Sequence, residues 1–303
     1  MTTQHWYNDG PMNWIQLTLP STKDQADFVS EILMGLDSVS VTFSDAVDEE
    51  IFEPPVGETP LWEQTTITAL FEQGVDQTHI SHMLGELCNI TDLRFEVLED
   101  RVWEDECKKD FHAMQFGQRI WICPSWEDAS SLPADAVVID MDPGLAFGTG
   151  THQTTDLCLQ YLDQHPPKGL RVIDYGSGTG VLAIASAKLG AISAIAVDND
   201  PQAVLATKDN VEANGVSGVI TTLHSDEEGD LAPVDLMIAN ILANPLVDLC
   251  PHLSGLVRPG GRIVLSGILD EQLEMVKQAY GQYFDDLTVA TKDQWCRISG
   301  VKK

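Results

Sequence analysis

Val172–Gly180 (VIDYGSGTG) is the stretch most informative about the architecture of this chain. Its apolar run ends in Asp174, and a helix-forming segment, Val181–Leu189, follows the stretch. Between them lie three glycines at alternate positions, Gly176, Gly178 and Gly180. Glycine permits a tight backbone turn and allows a ligand to approach the N-terminus of a helix closely. The sequence therefore predicts a strand, a ligand-binding turn and a helix.

The spacing of these glycines argues against a dinucleotide site. A dinucleotide-binding fingerprint would place its third glycine at position 181, which is Val181. The observed G-x-G-x-G pattern after a strand-terminal Asp instead resembles the first motif of class I methyltransferases, which use S-adenosylmethionine.

The surrounding sequence predicts a parallel sheet covered by helices. Short, nearly continuous apolar runs alternate with helical stretches, which is typical of strands buried on both faces. We expect a doubly wound α/β domain. Its predicted strands are Ala136–Met141, Leu170–Asp174, Ala194–Asp198, Val234–Ala239 and Arg262–Ser266.

Two polar residues lie at the ends of predicted strands, where open α/β sheets bind ligands. Asp198 lies 22 residues beyond Gly176 and could accept both hydroxyl groups of an adenosine ribose. It could also cap the next helix, although Asp200, followed by Pro201, suits that role better. Asn240 could place an acceptor amine beside a methyl group, or it could cap the strand end.

The first hundred residues predict a smaller α+β domain. Strands at 13–19, 39–43, 65–71 and 93–98 alternate with helices at 20–35 and 76–87, in the strand-helix-strand-strand-helix-strand order of ferredoxin-like domains. This region shows no catalytic constellation, which favours a recognition role. We expect a recognition domain over 12–100, a linker helix over 101–118 and a catalytic domain over 119–303.

The composition restricts the classes of partner that this protein could bind. The chain has 303 residues, with 17 Lys and Arg against 47 Asp and Glu, and a formal charge of −30. Such acidity disfavours direct binding to nucleic acid or anionic membranes and attracts basic partners. It could equally serve solubility alone. No secretory or membrane-spanning pattern is evident, and the six scattered cysteines are expected to be reduced in the cytoplasm.

The segment Met141–Thr155 (MDPGLAFGTGTHQTT) is the most distinctive motif. It lacks the lysine of a nucleotide triphosphate loop, which disfavours a nucleoside triphosphatase. Thr154 and Thr155 could cap the following helix. His152 could act as a base, although a lone histidine beside a loop is more often structural.

These motifs together resemble the bacterial ribosomal protein L11 methyltransferase family. The resemblance is carried by MDPGLAFGTGTHQTT, VIDYGSGTGVLAIASAKLGA, AVDNDPQAV, ANILANPL and the closing DQWCRISG, and it extends from Met12 to Lys303. Gln153 replaces an expected proline. The sequence ANILANPL also departs from the N-P-P-Y-type motif of other amine methyltransferases.

The resemblance implies a fold, a reaction and a site. It implies a substrate-recognition domain, a flexible linker and a class I domain that methylates lysine side chains and the N-terminal amine of L11. It implies S-adenosylmethionine as cofactor. Independently of the resemblance, we expect no metal and a monomer. The implied contacts with the cofactor are Phe147, Thr155, Gly176, Gly178, Gly180, Asp198 and Asn240, of which Asn240 is also the catalytic candidate.

Two alternatives remain at this point. The same chemistry could act on another basic protein or on nucleic acid. Alternatively, the second domain could sense the cofactor without catalysis while the first domain binds a partner.

Overall fold

The computed structural model describes residues 14–46, 62–98, 111–142 and 152–303. The chain divides into two compact units, residues 1–105 and 106–303. In the described residues, no helix is both long enough and apolar enough to cross a membrane.

The first unit is a four-stranded antiparallel sheet with two helices. Its strand order is β2-β3-β1-β4. This is the ferredoxin-like order, so the predicted α+β fold is confirmed. Its elements are β1 (Trp14–Thr22), α1 (Lys23–Gly35), β2 (Ser40–Asp45), β3 (Gln64–Glu72), α2 (Gln77–Cys88) and β4 (Arg94–Leu98).

Alternation along the strands builds the core of this unit. Ile15, Leu17 and Leu19 of β1 are buried on one face of the sheet, because successive strand residues point to opposite sides. The helices pack their apolar stripes onto that face. Asp76 accepts hydrogen bonds from the backbone N–H groups of Thr78 and His79, and this capping fixes the start of α2.

The second unit contains ten strands and six α-helices within its described residues. The strands are β5 (Met114–Phe116), β6 (Ile120–Cys123), β7 (Val137–Asp140), β8 (Arg171–Tyr175), β9 (Ser193–Asp198), β10 (Ile220–His224), β11 (Val234–Asn240), β12 (Val257–Leu269), β13 (Phe284–Lys292) and β14 (Trp295–Lys302). The helices are α3 (Gln153–Gln164), α4 (Val181–Lys188), α5 (Pro201–Ala213), α6 (Ala243–Asp248), α7 (Cys250–Gly255) and α8 (Leu273–Tyr280).

Seven of these strands form the central sheet, in the order β10-β9-β8-β11-β12-β14-β13. The first five are parallel, and β14 pairs antiparallel with both of its neighbours. Helices α3, α4 and α5 pack on one face, and α6, α7 and α8 pack on the other. The predicted doubly wound fold is therefore confirmed.

The strand order reverses between β8 and β11. The chain runs from β8 through β9 to β10 on one side, and then returns to β11 on the other side of β8. In open α/β sheets, ligands bind in the crevice at such a switch point, beyond the carboxyl ends of the strands. The glycine turn follows β8 and Asn240 ends β11, so both lie at this crevice.

Two predictions about the start of the second unit are wrong. The segment 101–118 was expected to be a linker helix, but its described part contains the strand β5, and Phe111 and Phe116 are buried in the core of this unit. Residues 101–110 lie outside the described residues. The strand predicted over Ala136–Met141 exists as β7, but it belongs to a separate sheet, β5-β6-β7. An isolated apolar run shows that a strand exists but does not indicate its partners.

Candidate functional site

The turn after β8 depends on glycine. Gly176, Gly178 and Gly180 have φ angles of 76°, 55° and 80°, a region that other residues rarely adopt. A Cβ atom at Gly176 would collide with Cγ2 of Ile241. The turn is tied to β9 by the backbone N–H of Gly176, which donates to the carbonyl of Val197 at 2.8 Å.

Asp198 connects the glycine turn after β8 to the turn that follows β9. Its Oδ2 accepts a hydrogen bond from the N–H of Gly178 at 2.8 Å, and its Oδ1 accepts one from the N–H of Asp200 at 3.0 Å. Each carboxylate oxygen has two lone pairs, so both retain capacity for a ligand hydroxyl group. Asp200 caps α5 by accepting from the N–H of Gln202, as the sequence predicted.

Asn240 presents an unpaired acceptor. Its Nδ2 donates to the hydroxyl oxygen of Thr155 at 3.3 Å, which orients the amide. Its Oδ1 is buried and has no hydrogen-bond partner within the described ranges. Buried polar atoms are normally paired, so this oxygen is positioned to accept a hydrogen bond from a bound molecule.

A cavity of about 690 Å³ lies over these residues. Of the predicted site residues, Gly176, Gly178, Asp198 and Asn240 line it. His152, the candidate base, also lines it. Among the other predicted cofactor contacts, Thr155 bonds to Asn240 behind the cavity wall, and Gly180 begins α4 beside the side chain of Thr207. Phe147 lies outside the described residues.

Burial controls the charge of two side chains at the turn. Asp174 is fully buried, and its Oδ2 accepts from the N–H of Ala183 at 3.0 Å. Loss of hydration, together with the negative charge of Asp198, raises the pKa of Asp174 to about 8. Burial and the neighbouring Glu228 raise the pKa of Tyr175, which lines the cavity, to about 12. Both side chains are therefore uncharged at neutral pH.

His152 caps a helix. Its Nδ1 accepts a hydrogen bond from the N–H of Thr154 at the start of α3, and its ring packs edge-on against Trp295 at 4.9 Å. Burial lowers the pKa of His152. His152 lines the cavity, but its Nδ1 contacts both the N–H and the hydroxyl group of Thr154, so the structure favours a capping role over that of a base. The prediction that Thr154 or Thr155 caps this helix is wrong.

Comparisons with known proteins define the family. The family model described as ribosomal protein L11 methyltransferase (PrmA) matches residues 13–303. A ribosomal protein L11 methyltransferase of Haemophilus influenzae (strain PittEE) is 48% identical over 295 residues, covering 96% of this chain and 99% of the relative. One from Ectopseudomonas mendocina is 47% identical over 294 residues, with 96% and 100% coverage.

The chain belongs to the ribosomal protein L11 methyltransferase family.

A solved structure supports this membership. The ribosomal protein L11 methylase of Lactobacillus delbrueckii subsp. bulgaricus is 34% identical, with a TM-score of 0.59, and the match covers 64% of this chain and 100% of that structure. The resemblance deduced from the sequence motifs and the predicted class I methyltransferase fold are thus confirmed.

Several cavity residues of this family member escaped the sequence analysis. They come from six different segments of the second unit, and they are Tyr175, Asn199, Ser225, Ile241, Leu242, Pro245, Leu249, Gly267 and Trp295. Two of them could have been predicted from the sequence: Asn199 follows Asp198 directly, and Trp295 lies in the closing DQWCRISG motif. Gly267 could not have been predicted, because its position at the cavity depends on how β12 pairs with its neighbours.

Proposed function

We propose that this chain transfers methyl groups from S-adenosylmethionine to lysine side chains and to the N-terminal amine of ribosomal protein L11. The relatives that support this substrate are nearly half identical over almost the whole chain. The observation that carries the chemistry is the buried, unpartnered Oδ1 of Asn240 at the switch point of the sheet.

The cavity suits the proposed cofactor. Its volume of about 690 Å³ lies within the range of sites that enclose small organic ligands. The carboxylate of Asp198 would hold the ribose hydroxyl groups, and the glycine turn would allow close approach of the backbone. When bound, S-adenosylmethionine would supply an electrophilic methyl group on its sulfonium.

The residues at the end of β11 would prepare the acceptor. An amine must be neutral to accept a methyl group, and deprotonating a lysine of ordinary pKa ~10.4 at pH 7 costs about 4.6 kcal/mol, against about 1 kcal/mol for an N-terminal amine. The Oδ1 of Asn240 would accept one N–H of the neutral amine and direct its lone pair. Apolar cavity residues such as Ile241 and Leu249 would exclude water from it.

The first unit would recognise the substrate protein. Residues 1–105 contain 21 Asp and Glu but only 3 Lys and Arg, so their field would attract a basic protein. We further propose that the enzyme acts as a monomer in the cytoplasm, without binding nucleic acid directly. The five described cysteines are free thiols, which is the usual state in a reducing compartment.

Substitution of Asn240 tests the proposal. In Asn240→Ala we expect methyl transfer to L11 to fall about 100-fold, the loss typical of a removed transition-state hydrogen bond. Binding of S-adenosylhomocysteine, measured by calorimetry, should weaken by less than about threefold. Thr155→Val removes only the hydrogen bond that orients the Asn240 amide, so it should slow methyl transfer less than Asn240→Ala does. Equal losses of transfer and binding would reduce Asn240 to a cofactor-holding residue.

A further inference from the structure

Leu242 is an exposed apolar residue at the mouth of the cavity. Ten large apolar side chains are well exposed among the described residues, and Leu242, at 49% exposure, is the one of these ten that lines the cavity. It lies two residues beyond Asn240, at the start of α6. Its side chain makes no capping hydrogen bond, so the helix does not require leucine there.

The neighbouring residue, Ile241, is held between two glycines. Its Cγ2 occupies the space that a Cβ atom would take at Gly176. Its carbonyl oxygen occupies the corresponding space at Gly267, whose φ is 86°. Because its side chain lies against Gly176 and its backbone against Gly267, Ile241 fixes the position of the Asn240–Leu242 turn relative to the cavity.

We propose that Leu242 is a specificity-determining residue that packs against the methylene groups of an acceptor lysine whose amine reaches Asn240. A lysine carries its amine on four methylene groups, and such stems are commonly buried along apolar surface. An N-terminal amine lies directly on a Cα atom and has no such stem. Leu242 therefore favours lysine side chains over the N-terminal amine. This inference rests on the proposed function.

The test compares two kinds of amine within one substrate. Purified enzyme and L11 are incubated with S-adenosylmethionine, and peptide mass mapping follows methylation of lysines and of the N-terminal amine separately. In Leu242→Ala we expect lysine methylation to slow about tenfold, the loss expected when roughly two methylene groups lose an apolar contact. Methylation of the N-terminal amine should change less than about twofold.

Three controls make the result specific. Leu242→Met keeps an apolar chain of similar length and should restore lysine methylation. Leu205→Ala, at a 60% exposed position on α5, should leave both rates unchanged. Binding of S-adenosylhomocysteine should stay the same in all three variants.

The outcomes separate this inference from the proposed function. If the wild-type enzyme methylates neither kind of amine, the proposed function fails. If it methylates both but Leu242→Ala slows them equally, slows the N-terminal amine more, or changes neither, the role of Leu242 is overturned.

Discussion

At the scale of single residues, the two acidic side chains beside the glycine turn should behave in opposite ways. Asp174 is buried and uncharged at neutral pH, whereas Asp198 accepts two backbone hydrogen bonds and faces the cavity. We therefore expect the first to affect how stability depends on pH and the second to affect cofactor binding.

Asp174 should make the enzyme less stable as pH rises. Its folded-state pKa of about 8 lies above the ordinary value of 3.8, so between these values the folded state binds more protons than the unfolded state. The resulting stabilisation is complete below about pH 4 and is lost as pH rises towards 8, by at most about 1.4 kcal/mol per pH unit. Thermal unfolding of wild type and Asp174→Asn between pH 5 and 8 checks this. Parallel pH profiles would contradict it.

Asp198→Ala should weaken binding of S-adenosylhomocysteine by about 10-fold to 100-fold, the range for hydrogen bonds to a charged group. Asp200→Ala is the matched control, because Asp200 caps α5 and does not line the cavity. It should cost about 1 kcal/mol of stability without affecting affinity. Calorimetric titration measures both variants, and equal loss of affinity would exclude a specific role for Asp198.

At the scale of elements, the pairing of β12 with β14 is irregular at Gly267, which lies against the backbone of Ile241 beside Asn240. Gly267→Ala would bring a Cβ atom into the backbone of Ile241, which cannot move aside like a flexible side chain. We expect a lower melting temperature and at least tenfold slower methyl transfer. Gly215→Ala has a similar φ of 67° but no atom within 4 Å, so it isolates the backbone strain and should leave transfer unchanged. Similar transfer rates in both variants would contradict this account.

Local patterns predicted several residues that line the cavity, but not the residues that reach it from distant strands. The glycine turn, Asp198 and Asn240 follow from strand ends that are readable within a few residues. Trp295 reaches the cavity because β14 pairs antiparallel with β12, opposite Leu269, and no local pattern specifies that register. The cap at His152 was missed because Thr154 is a commoner capping residue.

At the scale of the whole molecule, the acidic charge should accelerate encounter with the substrate. The formal charge is −30, and the first unit has the larger acidic excess. Raising NaCl from about 50 to 300 mM should lower the association rate with L11 about tenfold or more, because salt screens long-range attraction. Stopped-flow mixing measures this rate, and binding of S-adenosylhomocysteine serves as the salt-insensitive control. An unchanged association rate would show that the acidity serves solubility alone.

The most direct test of the central claim is methyl transfer itself. Purified enzyme, L11 and S-adenosylmethionine are mixed and the intact mass of L11 is followed, with Asp198→Ala as the control. We predict stepwise additions of about 14 Da by the wild type, strongly reduced in the variant, because each methyl group replaces one proton on an amine. Cofactor binding without any gain in the mass of L11 would contradict the account and direct the search to other basic proteins.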